Sequence, residues 1–432
     1  MSKCTAAAKE RSTWNIWQVR RRRWFGAIVV MGLALVMVAC GASGGAGIQP
    51  TPTPSTASTA TATPTPPPCT SWRIVPSPNM AGYPESELRA VSAPSPSVVW
   101  AVGVAKDVGT RVNPWWQSLV EQWDGTTWRI VPSAGFDALN SVAAISPNDV
   151  WAVGGQVNYG AGNHSPAGRP LIMHWNGSKW SVVPSGQTAT PYVELDSVAA
   201  ISANDVWAVG LIDTGPGQSH PLVERWDGNA WHVVGTPDIS GAVNSGFRAA
   251  ASIPGTEQLW AVDWAVGRDV RDGFERWDGT AWKLVAGPVL PSGALGGRLN
   301  GMVALSATDA WAVGSYMAGN EIQRTLIAHW DGTSWTMVPQ PDTRGELLSV
   351  AAAGPHDVRA VGHAFSANGN TQVALALQWD GTTWHVVTLP APAGATTSSL
   401  TSVTGDGAGN FWAVGSYRNA AGNERTLIEN CA

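Results

Sequence analysis

Four cysteines, eight histidines and a thin scatter of carboxylates are the residues of this 432-residue chain that could carry chemistry. Glycoside cleavage needs two carboxylates, or a carboxylate and a tyrosine, converging within ~5–10 Å. Asp213, Glu257, Asp269 and Glu321 are acids near the most variable segments, and the sequence gives no reason to pair any two of them. The histidines do not fall at metal-ligand spacing. His174, His232, His329 and His385 sit at strand positions of the repeat and read as structural. Asp406-Gly407-Ala408-Gly409-Asn410 is short and ligand-poor for a calcium loop. No catalytic residue, metal site or cofactor is therefore assigned. Aromatic side chains are the better candidates for contact with a ligand. Trp115, Trp116, Tyr159, Tyr316 and Tyr417 stand between the regular segments, where they could stack on a sugar or anchor a protein partner. Trp115 and Trp116 could also merely cap the first repeat. His164, His220, Arg268 and Trp264 lie in the same variable stretches.

Those variable stretches are set in a repeat. A strand such as Leu139–Ile145 leads through a short turn to Val150-Trp151-Ala152-Val153-Gly154. After a variable loop comes an apolar strand ending at Trp175, then Asn176-Gly177, then a last strand over Lys179–Pro184. The first tryptophan recurs at Trp100, Trp207, Trp260, Trp311 and Trp412, with Arg359 standing in its place once. Tryptophans flank the Asp-Gly or Asn-Gly turn at, for example, Trp123 and Trp128, Trp226 and Trp231, and Trp330 and Trp335. Short strands at a period of about 50 residues read as propeller blades of four strands, with a solenoid as the alternative. Asp-Gly favours a two-residue hairpin turn with positive φ at both positions, which would pair Trp123 with Thr126. The repeated tryptophans read as core, packing blade against blade. Asp149, Asp205, Asp309 and Asp357 read as braces for local backbone N–H groups.

Six complete units run from Leu88 to about Val387, and a seventh has only its first three strands. Its missing fourth strand is found at the other end of the compact region, in Thr70–Pro76. The expected fold is all-β: a seven-bladed β-propeller of four-stranded antiparallel blades, closed by the N-terminal strand completing the C-terminal blade. Cys431 aligns with Trp330, and Cys69 with Gly332. These positions lie two apart across a tight turn, with Cα atoms ~5–6 Å apart, within disulfide range. Two free thiols or a metal site are the rival readings.

Residues 1–40 read as an export signal. Arg20–Arg23 precede an apolar run from Trp24 to Ala39, too short to span a bilayer comfortably. Met37-Val38-Ala39-Cys40-Gly41 resembles a bacterial lipobox, which implies lipidation of Cys40 and an anchor on the outer face of the cell membrane. An ordinary membrane anchor and a twin-arginine signal are alternatives. Residues 41–68, rich in Pro, Thr and Ser, read as an extended spacer, and 69–432 as the propeller.

The WAVG strand followed by the Asp-Gly hairpin and tryptophan resembles bacterial extracellular propeller repeats of the kelch-like and Asp-box (BNR) kind, and the photosystem assembly-factor type most. The spacing departs from an Asp-box, since Asp124 and Gly125 are adjacent and Trp128 follows one residue early. The arginine triad, tyrosine and acidic pair of sialidases cannot be placed here. Charged residues are 13 % of the chain, about half the usual share. With a net charge of −5, nucleic acid is not an expected partner. The functional expectation is a monomeric surface lipoprotein that binds a protein or glycan ligand through its variable loops, with no ionisable cluster at the axial mouth. The alternative is a carbohydrate-active enzyme, a hydrolase or lyase, with its site at that mouth.

Overall fold

A computed structural model describes Cys69 and residues 71–432, apart from 108–114, 136, 156–169, 188–191, 216, 268–270, 367–368 and 370. The signal, Cys40 and the spacer, as well as Tyr159, His164, Arg268 and Asp269, lie outside the described residues. The described residues belong to one compact unit. Among its described residues are 28 strands, all pairing antiparallel. The first sheet runs Glu85–Ser95, Val98–Asp107, Trp115–Trp123, Trp128–Ile130, each strand bonded to the next. Further four-stranded sheets repeat this order from Ala242–Ser252, Gly296–Ser306 and Gly345–Gly354. The groups that begin at Ala138–Ser146 and Tyr192–Ser202 are joined into an eight-stranded sheet by one pairing, Glu194 with Gly155. A side chain on Gly155 would come within 3.1 Å of Glu194 Cα, so the close approach depends on glycine.

The last sheet joins the first and last of the described strands. Trp72–Ile74 pairs with Glu424–Cys431, which continues to Phe411–Arg418 and Thr397–Gly405. Trp72 faces Cys431, the register by which Trp335 faces Trp330. Cys69 and Cys431 form the expected disulfide, with Cα atoms 5.5 Å apart. First strands of successive sheets lie side by side, and Thr397–Gly405 lies beside Glu85–Ser95.

The WAVG strands are the most deeply buried, as continuous apolar runs must be when both faces are covered. Each WAVG tryptophan packs on the two turn-flanking tryptophans of a neighbouring sheet. Trp100 lies 5.0 and 5.4 Å from Trp175 and Trp180, and Trp151 lies 5.0 and 5.3 Å from Trp226 and Trp231. Trp412 of the last sheet lies 5.0 and 5.5 Å from Trp123 and Trp128 of the first. These tilted and edge-on contacts are the favoured geometry for aromatic rings, and they explain the tryptophan content.

Four expectations are corrected. Trp123 pairs with Trp128, not Thr126, so the turn is a four-residue loop. Gly125 has φ 95°, but Asp124 does not share a positive φ. Instead Asp124 Oδ1 accepts from Thr126 N at 3.0 Å, Thr127 N at 2.9 Å and Thr126 Oγ1 at 2.7 Å, an Asx turn that outcompetes the two-residue hairpin. The bracing role assigned to Asp149, Asp205, Asp309 and Asp357 thus belongs to the loop aspartates. The former pair with cationic or imidazole side chains: His174 at 2.8 Å, Arg225 at 2.8 and 2.9 Å, His329 at 2.9 Å and Arg359 at 3.1 Å. Trp115 and Trp116 belong to the third strand rather than preceding it. Finally, the strands run further than expected into the variable face. Only two residues separate Asp205–Gly215 from Gln218–Trp226, where a loop of about eleven was expected.

Candidate functional site

The glycine of WAVG answers to an irregularity in the strand beside it. Leu88 faces Gly103 and Ala90 faces Val102, so Arg89 is an extra, bulged residue. The same slip occurs at Asn140, Asp196, Arg248, Asn300, Leu348 and Thr401. The bulge swings the first strand's backbone inward. A Cβ on Gly103, Gly154 or Gly210 would lie about 2.1 Å or less from a carbonyl oxygen of that strand. A bulge re-aims one side chain while its neighbours stay in the core. Here the re-aimed side chains meet. Asn140, Asp196, Arg248, Asn300 and Leu348, with Leu211, Trp264 and Arg298, line a cavity of about 420 Å³.

The cavity wall is polar and paired. Arg248 Nη1 lies 3.1 Å from Asp272 Oδ2, and its guanidinium stands 5.4 Å from the centre of the Trp264 ring. Trp264 lies over Gly246, whose missing Cβ makes room for the indole. Arg298 Nε donates to Asn300 Oδ1 at 2.9 Å, and Asn300 Nδ2 donates to Glu346 Oε1 at 2.7 Å and to the Leu347 carbonyl at 2.9 Å. Asn140 repeats that bond, donating to the Leu195 carbonyl at 3.1 Å, and Arg89 Nη1 donates to Asn140 Oδ1 at 2.8 Å. Thr401 Oγ1 donates to the Leu88 carbonyl at 2.9 Å. Nearby, the Tyr192 hydroxyl donates to Glu194 Oε2 at 2.6 Å.

Burial and neighbouring charge shift several of these groups. Burial, then the Glu194 charge, pushes the Asp196 carboxyl far up, against the pull of Arg248, Arg89 and Arg298. Asp196 still touches solvent through the cavity it lines. Burial raises Asp272 despite Arg248, and lowers Arg248. Burial also pushes Glu87 up, but Arg89 and Lys106 outweigh it and hold the carboxyl below its ordinary value. Burial and the bond to Glu194 raise the Tyr192 phenol. The expectation that no ionisable cluster stands here is therefore corrected. Arg248 stands against Asp272, Arg89 and Lys106 against Glu87, and the Tyr192 hydroxyl against Glu194, whereas the Asp196 carboxyl has burial and the Glu194 charge against its ionisation.

The aromatic residues singled out from sequence do not gather at this cavity. Trp116 is half-buried, with Lys106 Nζ 5.2 Å from its ring. Trp115 sits one place further out, opposite Asp107. Tyr316 lines a separate cavity of about 280 Å³ with Arg324, Met337 and Gln340. Tyr417 faces Arg425 across its hairpin and packs against the core around the disulfide. Asp213 lies opposite Tyr192. Of the described variable-segment residues, Trp264 alone lines the polar cavity. Sequence reasoning passed over the bulged positions, although the repeat carries a signal. The frame Leu-x-Ser-Val-Ala-Ala holds at 139–144 and recurs in kindred form elsewhere, and x changes from Arg to Asn, Asp, Leu and Thr inside an otherwise regular strand.

No family model matches the chain, and no curated protein matches it significantly. Solved structures do. YCF48 bound to D1 peptide matches at TM-score 0.51 and 15 % identity, over 84 % of this chain and 97 % of that one. A polysaccharide lyase, the PL25 ulvan lyase, matches at TM-score 0.49 and 12 % identity, over 82 % and 95 %. The fucose-recognising lectin of Aleuria aurantia, a six-bladed β-propeller, matches at TM-score 0.41 and 16 % identity, over 71 % and 97 %. At these identities the likeness is one of fold: the chain is a β-propeller repeat protein.

Proposed function

We propose that this chain is a binding protein of the cell surface: an exported lipoprotein, anchored through Cys40 and held off the membrane by residues 41–68, whose propeller captures a ligand at its variable face. The observation that carries the reading is the cavity where Arg248, Arg298, Asp196 and Trp264 meet among bulged strands. Convergent polar groups and an aromatic ring in one concavity, on a rigid scaffold, are the usual form of a small-molecule or side-chain site. The propeller is read as seven-bladed and closed on itself. The contacts of Trp412 with Trp123 and of Thr401 with Leu88, last sheet to first, support that reading, as does the joining of the chain ends by the disulfide. Trp115, Trp116, Tyr316 and Tyr417, and Tyr159 with them, are then rim contacts for a protein or glycan, on a monomer that needs no cofactor and no nucleic acid. The YCF48 structure holds a peptide, a role of the same class. The test is capture of a protein or glycan from the native cell envelope by the full chain, competed by Arg298→Gln protein if the cavity is not the contact and not competed if it is.

One observation favours a carbohydrate-active enzyme as the second reading. Tyr192 and Glu194 form a tyrosine–carboxylate pair near Asp196 and Asp213. Cleavage of an envelope polysaccharide by the intact chain, lost in Glu194→Gln, would establish it over binding alone.

A further inference from the structure

The polar cavity is built for one kind of charge. Its two guanidiniums come from neighbouring first strands: Arg248 from Ala242–Ser252 and Arg298 from Gly296–Ser306. Each is anchored on one side only. Arg248 spends Nη1 on Asp272, and Arg298 spends Nε on Asn300 and Glu346. Among the described residues no bond engages Arg248 Nε or Nη2, or Arg298 Nη1 or Nη2, so donors remain for an incoming acceptor. The Arg298 side chain is 57 % exposed and the Arg248 side chain 23 %, so the first is open to a ligand and the second is held in place. The two are close enough that the charge of Arg298 disfavours that of Arg248, a repulsion that an anion between them relieves.

The balance of charge limits the ligand. Asp272 and Glu346 each offset part of one arginine, and Asp196 adds a carboxyl to the wall. The three acids disfavour a dianionic phosphate or a polyanion more than a singly charged carboxylate, and a carboxylate suits the planar fork of a guanidinium. A neutral ligand would leave the guanidinium donors unanswered. The remaining lining suits hydroxyl groups and a carbon ring. Asn140 Oδ1 and Asn300 Oδ1 each accept one bond from an arginine and keep a second lone pair for a hydroxyl. Trp264, half-buried, supplies an aromatic surface, and Leu211 and Leu348 supply apolar ones. A cavity of about 420 Å³ is larger than a bare organic acid needs.

We propose that this cavity is a binding site for an acidic sugar of the uronic-acid type, its carboxylate held by Arg248 and Arg298, its hydroxyls by Asn140, Asn300 and Asp196, and its ring beside Trp264. The inference rests on the reading of the cavity as a ligand site and names the chemistry of what enters it.

Calorimetric titration of the full-length protein in detergent tests it, with glucuronate, galacturonate, glucose, galactose and acetate as separate probes. The expected result is saturable binding of a uronate, at least about tenfold tighter than the matching neutral hexose or acetate. Arg298→Gln weakens the uronate at least about tenfold while the melting temperature holds, since its side chain is exposed. Trp264→Leu weakens uronate binding as well and serves as a second variant from a different strand. Equal binding of the hexose overturns the acidic assignment and leaves the ligand site standing. Equal binding of acetate overturns the sugar. Uronate binding unchanged in both variants overturns the location. No binding by any probe overturns both this proposal and the reading of the cavity as a sugar site.

Discussion

Arg359 reaches into the neighbouring sheet and donates from Nη2 to the Cys69 carbonyl at 3.0 Å, with the same nitrogen 3.4 Å from Cys69 Sγ. It is 1 % exposed and occupies the slot that a WAVG tryptophan fills in other repeats. The two departures from the repeat are one event. Elsewhere that tryptophan packs on a turn-flanking pair such as Trp379 and Trp384. Here the pair is Cys431 and Trp72, because the turn is cut and replaced by a disulfide. The cut leaves the Cys69 carbonyl needing a donor in a buried place, and a guanidinium stacked 5.2 Å from Phe411 supplies it.

Arg359→Leu should destabilise the protein by about 2–4 kcal/mol, since it strands the Cys69 carbonyl and leaves Asp357 half-buried without its cation. Urea unfolding measures this. Arg359→Trp, which restores the repeat, should also destabilise, by roughly 1–3 kcal/mol from overpacking against the disulfide. A gain in stability from Arg359→Trp would show that the slot had kept its tryptophan shape.

Reduction of the disulfide, or Cys431→Ser, removes a link across 362 residues. The chain-entropy view puts the loss at roughly 5 kcal/mol. Calorimetry with and without a reductant that reaches the bond should give a lower melting temperature for the reduced chain. An unchanged transition would mean that packing of Trp72 against the last sheet suffices.

Glu429 is fully buried and accepts no hydrogen bond from the described residues. Burial pushes its carboxyl from 4.5 up to about 8. The folded state then holds the proton more tightly than the unfolded chain does. Its contribution is complete below about pH 4.5 and is lost as pH rises towards about 8, flattening beyond. Glu429→Gln should therefore raise stability at pH 8–9, by an amount on the order of 3 kcal/mol, and do little at pH 4. Melting curves at both pH values check the sign.

Gly314→Ala would place a methyl group 1.8 Å from the Arg298 carbonyl oxygen. The bulge that aims Asn300 and Arg298 at the cavity must then move. A cost of about 3 kcal/mol or more is expected in thermal unfolding, larger than that of an alanine at an open glycine such as Gly279 after allowance for its positive φ.

The sequence made the scaffold legible because its signals were redundant. The turn-flanking tryptophans stand five residues apart in each complete repeat, as at 175 and 180, and Cys69 and Cys431 fall on positions two apart across an interrupted turn. The turn itself was misread because Asp-Gly carries two competing instructions, and the Asp124 carboxylate settled the contest by bonding Thr126 and Thr127. The cavity was missed for a different reason. Recognition residues were sought in loops, whereas Asp196 and Arg248 stand within strands, and nothing in a period-of-two pattern marks a bulge that faces them away from the core. Lys106 and Glu87, 2.6 Å apart, likewise sit on separate strands 19 residues apart in sequence, so their pairing required the register.

One bulge per first strand has a consequence for how such a chain can change. The extra residue stands outside the apolar core, so its identity is free of the packing constraints that hold Leu88, Leu139 or Leu195 beside it, while polar copies such as Asn140, Asn300 and Thr401 add a bond to a carbonyl of the neighbouring sheet. Arginine, asparagine, aspartate, leucine and threonine already occupy the position in different copies. Five of the copies, at Asn140, Asp196, Arg248, Asn300 and Leu348, thereby offer a single adjustable letter to one shared wall, and a new specificity can be spelled there, one substitution at a time, on a frame that does not need to refold to read it.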